Sequence, residues 1–176
     1  MTNLPLRVEQ GGAKGARLVA ECAFAAGEVI GRFDNHWVTH KPTYLSIQVG
    51  PDRHIENLGQ FSYLNHSCAP TVVVDTERME VRAARDIAPG DELSFFYPAT
   101  EWEMARPFDC LCGAPDCLRK IAGARDLPPE ALDRYEISRH IRALLAPQPP
   151  QPTQSPETAP PAQPSQSPKA PSPAQR

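Results

Sequence analysis

The feature that most restricts how this chain can fold is a series of short strand-like segments separated by turns rich in glycine and proline. In these segments apolar residues alternate with polar ones or form short continuous runs, as in LPLRVEQ and RLVAECAF. Both patterns are typical of β-strands, and helical periodicity is scarce before residue 100. We therefore predict a mainly β fold of small strands, among them 4–10, 17–24, 43–50, 71–75 and 79–84.

The clearest helical pattern comes late in the chain, at residues 129–145. Pro129 and Glu130 suit the first turn of a helix, where a missing N–H and a negative charge are both tolerated. Apolar side chains then recur on one broad face. We predict a single C-terminal helix over this range.

Residues 147–176 differ in composition from everything before them. They are rich in proline and contain no Leu, Ile, Val, Phe, Tyr or Trp. Such a segment cannot bury enough apolar surface to offset the entropy lost on ordering, so we expect a disordered tail with polyproline character. Its Ser-Pro and Pro-x-x-Pro repeats leave two roles open, a simple spacer and a docking segment for partners.

Charge and hydropathy exclude several classes of function. The net charge is −3 and no dense block of Lys and Arg occurs, so we expect no direct binding to nucleic acid. The N-terminus lacks a long apolar segment, which argues against a signal peptide and a membrane anchor. We therefore expect an intracellular protein in a reducing compartment: the cytoplasm in a bacterium, the nucleus or cytosol in a eukaryote. Five cysteines in such a compartment indicate a metal site or a reactive thiol.

Three of the cysteines are clustered in FDCLCGAPDCLRK, as Cys110, Cys112 and Cys117. Their C-x-C-x4-C spacing suits one tetrahedral ion, and a closed structural zinc site needs four ligands. The fourth has to come from elsewhere, and Cys68 is the natural candidate. Cys22 lies in an apolar run and is interpreted as a free core thiol. Three unliganded surface thiols are the alternative for the cluster.

Four motifs, in this order, resemble the SET-domain protein-lysine methyltransferases that carry a post-SET zinc loop. YLNHSCAP (63–70) is similar to the family's N-H-S-C motif, and GDELSFFYP (90–98) to its G-E-E-L-T-x-x-Y motif. CLCGAPDCLRKIAG (110–123) resembles the post-SET signature, and the glycine-containing segment 12–33 is a weaker match. The order and spacing of the motifs carry more weight than any one of them.

The resemblance implies a SET fold of small curled sheets, with a pseudoknot between the 61–68 segment and the strand that ends at Tyr97. It also implies a division of the chain into four parts. These are a SET domain at 1–104, a post-SET zinc loop at 105–124, a C-terminal helical segment at 125–146 and the Pro-rich tail at 147–176.

S-adenosylmethionine is the methyl donor that the resemblance implies, with zinc in a structural role. Carried over onto this sequence, the cofactor-binding residues are Lys14, Gly15, Ala16, Asn65, His66, Tyr97 and Ile121. The zinc ligands are Cys68, Cys110, Cys112 and Cys117.

The same resemblance implies the catalytic residues. Tyr97 is expected to supply the essential hydroxyl, and Tyr44 to line the channel for the acceptor lysine. Phe95 takes the position at which the family carries Phe or Tyr, and a Phe there leaves room for di- or trimethylation. Phe96 replaces an acidic residue often found before the catalytic tyrosine, and we expect it to make the substrate surface more apolar.

The predicted function is methyl transfer from S-adenosylmethionine to a lysine of a protein substrate, a histone tail or another protein. Two alternatives remain at this point. One is a catalytically inactive SET-fold module that binds a peptide or the cofactor without turnover. The other is a zinc-stapled interaction protein whose Pro-rich tail recruits partners.

Overall fold

The structure, a computed structural model, describes residues 4–11 and 15–146, so Lys14 and the 147–176 tail lie outside the described residues. The described part is mainly β, as the sequence predicts. No helix within it is long and apolar enough to span a lipid bilayer.

The elements are short and follow one another closely. The strands are β1 (Leu6–Glu9), β2 (Arg17–Ala20), β3 (Val29–Arg32), β4 (Trp37–Thr39), β5 (Ile47–Gly50), β6 (Arg53–Glu56), β7 (Asn65–His66), β8 (Val72–Asp75), β9 (Glu80–Ala83), β10 (Glu92–Phe95), β11 (Phe108–Asp109) and β12 (Lys120–Ile121). The α-helices are α1 (Pro129–Leu132) and α2 (Arg139–Leu145), and 3₁₀ helices form at Gly59–Tyr63, Tyr97–Ala99 and Ala124–Asp126.

The described strands form four small sheets. Their orders are β1-β2-β10-β7, β3-β9-β8, β4-β6-β5 and β11-β12. The apolar side chains of β2 and β10 are buried in the main core, which also receives one face of β8 and β9. Burial on both faces explains why β2 reads as a continuous apolar run.

The pairing of β7 with β10 positions the site. The two strands are parallel, with Ser94 opposite Asn65 and Phe95 opposite His66. The two segments expected to form the pseudoknot therefore lie side by side. This register sets the polar turn after His66 beside the chain that continues into Tyr97.

The strand predicted at 43–50 is only half correct. β5 begins at Ile47, and the residues before it form a turn. The Thr43 N–H donates to Ser46 Oγ at 2.9 Å, and the Ser46 hydroxyl donates back to the Thr43 carbonyl at 3.1 Å. Such hydroxyl–backbone bonds compete with strand pairing, and the apolar alternation alone does not reveal them.

The prediction of one continuous helix at 129–145 is wrong, because the helix is interrupted between α1 and α2. The Ser138 N–H donates to the carbonyl of Ala99 at 2.9 Å instead of to a helical partner. The Tyr135 ring stacks on Phe96 with 3.6 Å between ring centroids. Packing against Phe96 and Ala99 thus overrides the local helical preference.

Candidate active site

A cavity of about 510 Å³ opens between the turn before β5, the β7–β10 pair and the chain from Met104 to Leu111. Its wall includes five residues predicted from the sequence to act in catalysis or binding: Tyr44, Asn65, His66, Phe95 and Tyr97. The structure therefore brings together residues that span more than fifty positions in the chain.

Tyr97 is the most constrained of these residues. Its hydroxyl donates to the Leu64 carbonyl at 2.8 Å, and its ring packs on Phe95 at 4.7 Å between centroids. Burial raises the pKa of the Tyr97 hydroxyl well above its ordinary value, and the carboxylates of Glu101 and Glu92 raise it further. Tyr97 therefore stays neutral and can orient a reactant by hydrogen bonding, but it is not a base.

His66 joins the cavity to the cysteine cluster. The Tyr97 N–H donates to His66 Nδ1 at 3.3 Å, which leaves the ring proton on Nε2. Nε2 faces Cys68 Sγ at 3.4 Å. The rings of Tyr97 and Phe108 pack edge-on against the imidazole, at 5.3 and 5.7 Å between centroids, and fix its orientation.

Asn65 connects the cavity wall to the turn that precedes β2. Its side-chain amide donates to the Ala16 carbonyl at 3.0 Å and to Glu92 Oε1 at 2.9 Å. Gly15, in this turn, has a φ of +80°, a conformation that L side chains rarely adopt. The structure thus places Ala16, which follows Gly15 in this turn, next to Asn65.

Two of the predicted site residues are placed less centrally. Tyr44 lines the cavity but is 71% exposed, with the Arg106 guanidinium 5.5 Å from its ring centroid, so it lies at the rim. Ile121 is fully buried against Cys68 and Cys110 and does not line the cavity. Its partner across the β11–β12 ladder, Phe108, lines it instead.

Phe96 corrects an expectation about the substrate surface. It is 2% exposed and packs in a second core with the C-terminal helices, so it does not add apolar surface around the cavity. Phe95, by contrast, lies on the cavity wall.

Four cysteines converge beside His66. The Sγ atoms of Cys68, Cys110, Cys112 and Cys117 all lie within 4.8 Å of one another, and that of Cys68 is 4.0 Å from that of Cys110. Zinc bound by four thiolates at 2.3 Å would hold its sulfurs about 3.8 Å apart, so the donor set and its spacing fit such an ion. Backbone N–H groups of Leu118 and Arg119 each approach a cluster sulfur at 3.4 Å. Cys22 lies apart, packed on the main core.

Sequence reasoning missed Glu101, a carboxyl group on the same cavity wall. It is 8% exposed, and burial raises the pKa of Glu101 to about 7. Nothing in the sequence distinguishes it from the other acidic residues except its position between Thr100 and Trp102, shortly after Tyr97.

Comparison with known proteins agrees with this geometry. The SET-domain family profile matches residues 15–98, a range that includes β2, β5, β7, β10 and Tyr97. Methyltransferase flvH of Aspergillus flavus is 42% identical over 138 residues, covering 77% of this chain and 76% of that protein. Histone-lysine N-methyltransferase Suv4-20 of Caenorhabditis elegans is 27% identical over 154 residues, covering 74% of this chain and 53% of that protein.

Two solved structures share the fold at low sequence identity. KRYPTONITE, in a complex with mCHG DNA and SAH, aligns with a TM-score of 0.55 at 21% identity, over 67% of this chain and 29% of that one. The methyltransferase domain of human SETMAR aligns with a TM-score of 0.52 at 18% identity, over 67% of this chain and 58% of that one. The chain spans little more than half of Suv4-20 and of the SETMAR domain, and less than a third of the KRYPTONITE chain. The profile match, the extended similarity to flvH and the cysteine cluster, three members of which follow the matched region, agree with one another. The chain belongs to the SET-domain family of methyltransferases.

Proposed function

We propose that this methyltransferase moves the methyl group of S-adenosylmethionine to the side-chain amine of a lysine in a protein substrate. The observation that carries the proposal is the shared cavity wall of Asn65, His66, Phe95 and Tyr97. The flvH name specifies a methyltransferase without an acceptor, whereas several more distant relatives are named as histone-lysine N-methyltransferases. Those names support a protein lysine as acceptor, with histones as first candidates.

The chemistry requires an unprotonated amine. A free lysine has a pKa of about 10.4, so at about pH 7.4 loss of its proton costs about 4 kcal/mol. Bound S-adenosylmethionine supplies an electrophilic methyl on a sulfonium, whose positive charge lowers the pKa of a neighbouring amine. The chain supplies alignment and exclusion of water, through the neutral Tyr97 hydroxyl and the apolar ring of Phe95.

Asn65, His66 and the backbone of Gly15 and Ala16 are proposed to hold the methyl donor. The hydrogen bond from Asn65 to the Ala16 carbonyl supports this role, because it fixes the turn against the cavity wall. Lys14 and Ile121 remain proposed contacts. Ile121 is proposed to contribute by supporting Phe108, which it faces across the β11–β12 ladder.

Zinc is proposed to be structural. Four thiolates complete a tetrahedral site and leave no open position for water. The cluster ties residue 68 to the 110–117 loop. This loop lies within the post-SET unit that we propose at 105–124, after the SET domain that we propose at 1–104. The 105–124 unit contributes Phe108 and Cys110 to the cavity, so the ion would hold one wall of the cavity in place.

The proposed activity is tested by incubating the full chain with methyl-labelled S-adenosylmethionine and either core histones or cell extract. Tyr97→Phe is compared with Tyr63→Phe, a matched variant of a tyrosine that is 40% exposed and outside the cavity wall. We expect label on protein lysine with the wild type and Tyr63→Phe, and its loss with Tyr97→Phe. Cofactor binding without methyl transfer would instead indicate a binding module. The absence of both cofactor binding and methyl transfer would indicate an interaction protein.

Product specificity follows from Phe95. Its ring carries no hydroxyl to hold a water molecule in the cavity, so space remains for a methylated amine. We expect di- or trimethyl-lysine on a good substrate and a shift toward monomethyl-lysine with Phe95→Tyr. Mass spectrometry that finds only monomethyl-lysine with the wild type would contradict this.

A further inference from the structure

Glu101 is a buried carboxyl whose two oxygens have different surroundings. Oε1 accepts hydrogen bonds from the Gln48 N–H at 2.8 Å and from the Thr100 hydroxyl at 3.1 Å. Oε2 accepts no hydrogen bond from the described part of the chain, and it is not completely enclosed by protein atoms. One oxygen is therefore held in place by two hydrogen bonds, the other has no partner among the described residues, and Glu101 itself lines the cavity.

Within the described residues no Lys, Arg or His side chain is paired with Glu101, and the pKa of its carboxyl is shifted by burial and by the bonds from Gln48 and Thr100. Arg106, the basic residue that shares the cavity wall, is stacked over Tyr44. The ionisable groups facing the same cavity are Tyr44, His66, Tyr97, Arg106, Asp109 and Cys110. Behind Glu101, His140 is bonded to the Thr100 carbonyl at 2.8 Å, and burial lowers the pKa of His140, so it favours the neutral form there.

A buried carboxylate without a cation is costly, since its charged form is poorly solvated. A ligand that brings the missing positive charge would offset this cost. The position of Glu101 points to that ligand, because this residue shares the cavity wall with Tyr97. A lysine side chain that reaches Tyr97 carries an ammonium group of the required sign.

We propose that Glu101 binds the ammonium group of the acceptor lysine and takes up its proton before methyl transfer. This inference rests on the proposed function. In the step, an N–H bond of the ammonium breaks and an O–H bond forms at Glu101 Oε2. The amine lone pair then forms a C–N bond with the donor methyl, and the C–S bond breaks with its electron pair remaining on sulfur. The proton leaves Glu101 to solvent before the next turnover.

The burial of Glu101 suits this exchange. Its pKa of about 7 lies closer to that of an amine than the ordinary glutamate value of 4.5 does. General acid–base catalysis is most effective when the pKa of the group lies near the working pH. At about pH 8 the carboxylate is ionised and a lysine is still protonated, so the pair can form.

The test uses n-butylammonium, a mimic of the end of a lysine side chain, titrated into the zinc-loaded full chain by calorimetry or NMR. Glu101→Gln keeps the size of the side chain and a carbonyl acceptor for Gln48. Glu103→Gln is the matched control, since Glu103 is exposed and pairs with Arg125. We expect wild-type binding to strengthen from about pH 6 to pH 8, and Glu101→Gln to bind about tenfold more weakly at pH 8.

Equal affinity of wild type and Glu101→Gln would overturn the inference, as would wild-type binding that does not change with pH. The result does not depend on methyl transfer. If the labelling experiment finds no protein lysine methylation, the proposed function fails while amine binding still decides the role of Glu101. If labelling succeeds, the rate should fall roughly 100-fold in Glu101→Gln and lose its inflection near pH 7. An unchanged pH profile refutes the proton-transfer role alone.

Discussion

Replacement of Glu101 by glutamine makes the cost of the buried carboxyl measurable without any substrate. Desolvation raises the pKa of Glu101 from 4.5 to about 7. Above pH 7 the Glu101 carboxylate is charged in both states, but it is poorly solvated in the native protein and fully solvated in the unfolded chain. At about 1.4 kcal/mol per pKa unit, this lowers the free energy of unfolding by about 3 kcal/mol.

The sign of the pH dependence follows from proton binding. Between pH 4.5 and about 7 the native state holds more protons on Glu101 than the unfolded state does, so stability falls as pH rises through this window. Glutamine does not titrate. We therefore expect the stability of Glu101→Gln relative to wild type to increase by about 2–3 kcal/mol from about pH 5 to about pH 8.

Urea unfolding followed by tryptophan fluorescence measures this difference at the two pH values. Taking the variant relative to wild type cancels effects common to both proteins, such as titration of the cysteine cluster. Glu103→Gln, with its side chain 59% exposed, should show little change between the two values. A difference for Glu101→Gln that is the same at both pH values would refute the reasoning about desolvation.

Three further predictions concern separate parts of the molecule. Cys68→Ser should lower bound zinc and methyl transfer together, by metal analysis and labelling; full zinc content would remove Cys68 from the ligand set. Asn65→Ala should weaken S-adenosylmethionine binding about tenfold by calorimetry and leave zinc in place, because it breaks the bond to Ala16. Unchanged affinity would contradict that role. Ile141→Ala, at a fully buried position, should lower the free energy of unfolding by about 3 kcal/mol in urea; a loss below about 1 kcal/mol would mean that the second core is not a stability determinant.

Local sequence patterns predicted most of the candidate site residues, because the motifs that contain them are short. The N-H-S-C turn, the segment that leads through β10 to Tyr97 and the C-x-C-x4-C loop each fit within about a dozen residues. Cys68 could be joined to the loop because a tetrahedral thiolate site needs a fourth ligand, and the convergence of the four sulfurs agrees. The roles of individual residues at the cavity stay predictions until they are tested.

Two of the predictions that failed depend on contacts between distant segments. Phe96 reads as an exposed aromatic near a catalytic residue, yet it is buried because Tyr135 stacks on it. The 129–145 pattern reads as one helix, yet Ser138 bonds to Ala99 and breaks it. Neither partner is near in sequence, so neither contact leaves a local pattern.

The sequence by itself determined the mainly β class, the family and the loop of three cysteines at 110–117, because strand alternation, turn residues and the spacing of these ligands lie in neighbouring positions. Only the tertiary structure decided which acidic residue is buried in the cavity wall and that Phe96 packs away from it. The desolvation of Glu101 arises from the packing of β5 and the chain after Tyr97 around it. Such burial is a property of the assembled fold, because solvent is excluded by residues from several segments at once.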